Sequence, residues 1–430
     1  MAEKLVVIGA GMASGRMLEH LFEAASDRLQ VTLFGAEPRG NYNRIMLSPV
    51  LAGEKQYEEI VTHDAEWYAR HGVECRFGET VTAIDRARKT VSTTRGETPY
   101  DKLVIATGST PFVIPVAGCD LPGVVTYRDL DDTNALIEAA APGRRAVVIG
   151  GGLLGLEAAA GLRLRGMDVT VLHLMPHLME RQLDQAAARL LQDALEARGV
   201  AVRCRANTRA ILGEDRVRAV QLDDGTEIPA DIVCMAVGIR PSAALAEAAG
   251  LAVGRGIAVD DALVTSDPSI LALGECAEHR GICYGLVAPL YEMAAVAAGT
   301  LTGTGAAYEG SLTATKLKVT GVDLFSAGDF AEGDAREEIV LRDPVQGAYR
   351  RLILEQNRLV GAVMYGETSN ANWFFDRIQE GTNVSQMRET LIFGPGFTGD
   401  TPLDPMVAVA ASPGKANGQG CSGDTIEPAT

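Results

Sequence analysis

Residues 5–21, LVVIGAGMASGRMLEHL, and residues 146–162, AVVIGGGLLGLEAAAGL, follow one pattern: a run of apolar residues, a glycine turn, then the opening of a helix. An apolar run of that length, followed at once by glycines and helix formers, fits a parallel strand feeding a helix N-terminus. The unpaired N–H groups and the dipole at such a terminus attract phosphate. No other feature narrows the fold as much. A chain carrying this unit twice, with Gly150 lying 141 positions beyond Gly9, is expected to build two doubly wound α/β units, each with a dinucleotide-phosphate cradle.

The remaining runs agree. KLVVIGA, QVTLFGA and KLVIATG precede AVVIGGG, DVTVLHL and DIVCMAVG, and helical stretches separate them, as expected of parallel sheets. The texture changes near residue 306, where TATKLKVTGVDLFSAGD, EEIVLRD, AYRRLILEQ and RLVGAVMYG read as an antiparallel meander followed by helical NANWFFDRIQEG. The last twenty residues are small and polar, and disorder is expected there. At 430 residues the chain is too long for one core.

With 39 basic against 56 acidic residues the net charge is −17, which disfavours nucleic acid and anionic membrane. No apolar run approaches the roughly 20 residues of a membrane span. MAEKLVVIG enters a strand almost directly, leaving no room for an export signal, so a cytoplasmic location is expected. The seven cysteines, at 75, 119, 204, 234, 276, 283 and 421, show neither CxxC nor zinc spacing and read as scattered reduced thiols.

In the first cradle Gly9 permits the tight turn, Gly11 admits the pyrophosphate, and Ser14 replaces a third glycine while staying small enough for close packing. Glu37, at the end of QVTLFGAE, is placed to accept hydrogen bonds from an adenosine ribose; a solvated loop charge is the alternative. The second cradle has all three glycines, Gly150, Gly152 and Gly155. Its following strand ends in DVTVLHLMP, so His173 stands where a ribose-binding carboxylate is usual. It reads equally as a ribose contact or an ordinary surface histidine. No arginine cluster follows that strand in sequence, which favours NADH over NADPH.

Two more segments flank the second cradle: YDKLVIATGSTPF and LVTSDPSILALGECAEH. With them the chain resembles the flavoproteins that have two dinucleotide-binding domains, the pyridine nucleotide-disulfide oxidoreductase type. NYNRIMLSPVLAGE, LHLMPHLMERQLD, GLVAPLYEMA and TKLKVTGVDLFSAGD narrow the likeness to the FAD/NADH module of NADH-dependent nitrite reductase large subunits. They also resemble the small FAD subunit of assimilatory nitrate reductases. The resemblance implies FAD in the first cradle and NADH in the second, with NADPH as the alternative. The FAD domain is then split into residues 1–115 and 241–305 around a nicotinamide domain at 116–240, with a C-terminal interface domain at 306–410 and a tail at 411–430. It implies FAD contacts at Gly9, Gly11, Ser14, Glu37, Arg44, Ser48, Ala106, Thr107, Gly108, Gly274, Glu275 and Pro289. Nicotinamide-cofactor contacts follow at Gly150, Gly152, Leu154, Gly155, Glu157, His173 and Gly238. In Gly274–Glu275 a glutamate stands where aspartate is commoner.

The same resemblance pairs Arg44 with Glu157 beside the flavin as the catalytic residues, against the plainer readings of a surface arginine and a helix-start carboxylate. Peroxide and disulfide reductases of this type place a cysteine near RGNYNRIMLS, and none is there. Cys421 alone cannot ligate an iron–sulfur cluster. The reading is an NADH:acceptor oxidoreductase whose acceptor is a redox protein. An assimilatory nitrate reductase catalytic subunit comes first, and rubredoxin or a separate nitrite reductase second. A flavin-bearing NADH sensor is the reading from another class. Lys316, Lys318, Trp373, Phe374 and Phe375 suit an interface with that partner or a second subunit, with core packing the alternative for Phe374 and Phe375.

Overall fold

The computed structural model describes residues 2–25, 28–305, 307–319 and 321–397. The chain opens with β1 (Glu3–Ile8), whose last four residues are buried, and turns at Gly9 into α1 (Met12–Ala25). β2 (Leu29–Gly35), the short α2 (Leu47–Ala52), β3 (Glu74–Phe77) and β4 (Lys102–Ile105) follow, with all strand pairs parallel. Runs such as Leu5–Ile8 and Leu103–Ile105 are apolar throughout because the sheet is covered on both faces.

The chain then leaves this sheet and builds a second. β5 (Val124–Thr126), α3 (Leu130–Ala139), β6 (Arg145–Ile149), α4 (Leu153–Leu164), β7 (Asp168–Leu172), α5 (Gln185–Ala197), β8 (Val200–Arg203) and β9 (Ile232–Met235) form it, in the parallel order β8-β7-β6-β9-β5. β10 (Ile270–Ala272) returns beside β4 and completes the first sheet as β10-β4-β1-β2-β3, and α6 (Val287–Thr302) then lies along α1. The first unit is thus interrupted by the second. β1 to β4 correspond in place to β6 to β9, and the registers match: Gly9 N–H donates to the Phe34 carbonyl at 2.8 Å as Gly150 N–H does to that of Leu172 at 2.8 Å.

The C-terminal unit is an antiparallel sheet in the order β11-β12-β15-β14-β13, from β11 (Ala314–Val319), β12 (Val322–Gly328), β13 (Arg336–Asp343), β14 (Ala348–Glu355) and β15 (Arg358–Tyr365). α7 (Ala371–Glu380) covers one face. Phe374 is fully buried in that core, and Trp373 and Phe375 pack against it, so packing accounts for these aromatics; Lys316 is exposed. Cys421 and the tail at 411–430 lie outside the described residues.

One core runs through all three units. Leu51 of α2 fits against Gly161 of α4, where a Cβ would come within 2.8 Å of the Leu51 Cγ. Val322, Leu324, Tyr349, Val363 and Tyr365 of the C-terminal sheet join the same cluster. Asp184 fastens that junction: it caps α5 by accepting from Ala187 N–H at 2.8 Å and also accepts from the Tyr349 hydroxyl at 2.5 Å. Among the described residues no helix is long and apolar enough to cross a membrane.

Candidate active site

Both glycine turns have the geometry that a dinucleotide cradle needs. Gly9 (φ 109°) and Gly150 (φ 120°) sit in the left-handed half of backbone space, and a Cβ on either would overlap a carbonyl oxygen, of Ala106 and Ala236 respectively. At Gly11 and Gly152 a Cβ would meet nothing within 4 Å, so open space faces the first turns of α1 and α4, where phosphate is attracted. Gly155 packs on the Gly150 carbonyl with no room for a side chain. Ser14 solves the equivalent contact differently. Its buried hydroxyl donates to the Gly9 carbonyl at 2.6 Å, with a second contact to that of Gly11 at 3.0 Å, and so closes the turn from inside.

A polar seam runs between the two cradles. Glu37, just past the end of β2, accepts from the Tyr42 hydroxyl at 2.8 Å and is ion-paired with Arg44, with Arg39 3.7 Å away. Arg44 also donates to the Arg128 carbonyl at 3.2 Å. Glu275 accepts from Ser109 at 2.8 Å and is ion-paired with Arg128. Thr107 donates to the Ser242 carbonyl at 2.8 Å, while Gly108 and Gly274 take positive φ values around the same carboxylate. Pro289 lies buried in the first turn of α6. Gly238 (φ 116°) has open space beside it at the end of β9, and Leu154 is half-buried at the start of α4. Arg39 Nη1 and Arg128 Nε are buried without a hydrogen-bond partner among the described residues, in keeping with a seam shaped to meet an anionic ligand. The residues present therefore fit two dinucleotides.

Two expectations about single residues are corrected. Arg44 and Glu157 do not pair: the arginine is drawn to Glu37, seven residues away, whereas Glu157, on α4, accepts from Ser48 of α2 at 2.6 Å. The packing of α2 on α4 brings serine and glutamate together and leaves Arg44 one turn too early to reach. Of the two readings of His173, the ordinary surface residue is overturned. The histidine is 7% exposed, its Nδ1 accepts from Gly151 N–H at 3.1 Å, and its Nε2 lies 3.0 Å from Glu180, so it braces the second cradle from within.

Sequence reasoning missed Arg128 and Tyr127. Tyr127 is almost fully buried and donates to Ser48 at 3.3 Å, extending the Ser48–Glu157 contact into a chain of three. Both residues follow β5, whose place beside β9 is set by sheet order, and no local motif marks it. Burial raises Glu157 above the usual carboxylate range and the Ser48 hydrogen bond partly offsets this; burial also raises Tyr127. The six described cysteines are all free thiols, and burial pushes Cys75 up to about 11 and Cys234 up to about 12. Cys276, raised likewise, is a core thiol against the carbonyls of Ile105 and Leu273. None of these three is a ready thiolate.

Comparison with known proteins bears on the whole chain. Residues 3–299 match the family model described as pyridine nucleotide-disulphide oxidoreductase, and residues 314–382 match the rubredoxin NAD+ reductase C-terminal domain. The chain is 47% identical over 395 residues to a nitrite reductase [NAD(P)H] of Bacillus subtilis, covering 91% of this chain and 49% of that protein. It is 40% identical over 392 residues to the assimilatory nitrate reductase electron transfer subunit of the same organism, covering 91% and 51%. The chain thus spans about half the length of these relatives. Among solved structures, the covalent putidaredoxin reductase–putidaredoxin complex aligns with a TM-score of 0.81 at 27% identity, covering 89% of this chain and 94% of the other. Two cradles of matched register, a split first unit and the family match over 297 residues lead to one conclusion: the chain belongs to the pyridine nucleotide-disulphide oxidoreductase family, whose cofactors are FAD and NAD(P)H.

Proposed function

We propose that the chain carries electrons from NAD(P)H through FAD to a partner redox protein, and that this partner is the catalytic subunit of an assimilatory nitrate reductase. The observation that carries the reading is the pair of cradles with the half-buried Ser48 and Glu157 hydrogen-bonded to each other and no ready thiolate among Cys75, Cys234 and Cys276. FAD supplies the chemistry, accepting a hydride and releasing electrons singly. The protein's part is placement. The turn at Gly9–Ser14 would hold the pyrophosphate of FAD, and that at Gly150–Gly155 the pyrophosphate of NAD(P)H. Arg128 and Glu275 hold each other in an ion pair that would help to hold FAD, and Glu157 Oε2 accepts a hydrogen bond from Ser48, its carboxyl raised by burial so that it holds a proton to higher pH than a free glutamate.

The electron transfer subunit at 40% identity favours nitrate reductase as the partner. The match of residues 314–382 to a rubredoxin NAD+ reductase domain supports rubredoxin as the second acceptor. A cytoplasmic location goes with this reading, since six unpaired thiols suit a reducing compartment. The test is NAD(P)H-dependent nitrite formation with the chain and nitrate reductase from the same cell, beside dye reduction by the chain alone. Coupling is expected only in the mixture. Dye turnover without coupling to nitrate reductase, but with rapid rubredoxin reduction, would transfer the assignment to rubredoxin; negligible dye turnover would favour a sensor.

A further inference from the structure

The two adenosine ends differ in charge at equivalent backbone positions. With Phe34 and Leu172 as the matched ends of β2 and β7, Glu37 corresponds to Met175. Strand pairing carries the match outward, since Phe34 pairs with Arg76 and Leu172 with Arg203. One step further, Gly78 N–H donates to the Glu37 carbonyl at 2.8 Å, as Arg205 N–H does to that of Met175 at 3.1 Å. Gly78 and Arg205 even share a left-handed backbone, with φ of 69° and 55°.

The side chains at these positions are reversed. In the first cradle a carboxylate, Glu37, lies at the ribose position, a glycine stands beside it, and Arg76 is neutralised by Glu74 at 2.8 Å. In the second the carboxylate is replaced by Met175, 41% exposed, and the glycine by Arg205. The arginine on the neighbouring strand, Arg203, has no ion partner. Both guanidinium groups are exposed, and neither forms a hydrogen bond or ion pair with another described residue. Asp224 is within electrostatic reach of Arg203 but makes no ion pair with it. Glu180, seven residues beyond His173, is held by that histidine, its Oε2 3.0 Å from the ring Nε2. A carboxylate at this position accepts from a free 2′-hydroxyl and repels a 2′-phosphate, whereas unpaired arginines favour the phosphate.

We propose that Arg203 and Arg205 form a 2′-phosphate site, so that the second cradle takes NADPH at least as well as NADH. This corrects the expectation that no arginine cluster serves that strand: the arginines arrive from the next strand, thirty residues on. The proposal rests on the second cradle being the pyridine-nucleotide site, and not on which protein accepts the electrons.

The test uses the FAD-loaded full chain. Calorimetric titration with adenosine 2′,5′-bisphosphate and with 5′-AMP reads the subsite without turnover. The bisphosphate is expected to bind about tenfold or more tightly, and to lose that advantage as salt rises. Dye reduction should show kcat/KM for NADPH at least equal to that for NADH. Arg203→Gln with Arg205→Asn, the asparagine keeping the left-handed turn, should lower kcat/KM for NADPH about tenfold or more and leave NADH within about threefold. Equal binding of the two nucleotides, or equal loss with both cofactors, overturns the assignment. Because neither measurement involves nitrate reductase, a failure to couple with that partner leaves this result standing.

Discussion

Gly150→Ala and Gly152→Ala form a matched pair, two residues apart, that separates folding from binding in the second cradle. At Gly150 the φ of 120° is strained for any L side chain, and the new Cβ would overlap the Ala236 carbonyl oxygen at the end of β9. Strain of about 1–3 kcal/mol from the backbone and a similar cost from displacing β9 give about 2–5 kcal/mol, a large part of an ordinary domain's stability. At Gly152 the backbone is ordinary and extended (φ −85°, ψ −177°), and nothing lies within 4 Å of an added Cβ. Its cost to the fold is that of a glycine N-cap made alanine, below about 1 kcal/mol. That open space is where the pyrophosphate would approach the α4 N-terminus, so one methyl group should raise the Kd for pyridine nucleotide roughly 10- to 100-fold. Thermal melting of the FAD-loaded protein and calorimetric titration with oxidised pyridine nucleotide read the two effects separately. The reasoning fails if Gly152→Ala binds within threefold of the parent, or if it loses as much stability as Gly150→Ala.

Four further outcomes are expected. Ser48→Ala removes the hydrogen bond that partly offsets the burial of Glu157, so the Glu157 carboxyl should titrate at still higher pH, and the pH profile of flavin reduction in stopped flow should move upward. Because Glu157 is raised in the folded state, its contribution to stability is present at low pH and lost as pH rises through the folded value. Glu157→Gln should therefore gain melting temperature relative to the parent on going from about pH 5 to pH 8. Asp184→Ala removes a helix cap and the acceptor of the Tyr349 hydroxyl, for a loss of about 2–3 kcal/mol; a double-mutant cycle with Tyr349→Phe in denaturant should show coupling above about 0.5 kcal/mol. Replacing Cys276 and Cys283 by serine should leave dye turnover within about threefold, since Cys276 packs in the core and burial raises both thiols; a hundredfold loss with FAD retained would reveal a thiol step.

Local chemistry made the cradles legible from sequence. An apolar strand, a glycine that must turn left, a glycine that must leave space and a helix start are all specified within seven residues, and the structure has each at Gly9–Ser14 and Gly150–Gly155. The antiparallel strands of the C-terminal sheet were legible for the same reason, because alternation and turns are short-range properties, but not their order, since β12 pairs with β15 where a meander would pair it with β13. The partners of charged side chains were not. Arg44 chose Glu37 over Glu157, Arg128 met Glu275 from 147 residues away, and His173 turned inward to Gly151 and Glu180. Arg203 and Arg205 came alongside Met175 only because β8 pairs with β7. An ion pair depends on separation in space and on what else competes for the same charge, and both are set when sheets close and helices dock. The sequence by itself determined that two phosphate cradles exist; the tertiary structure alone decided which charges surround each of them.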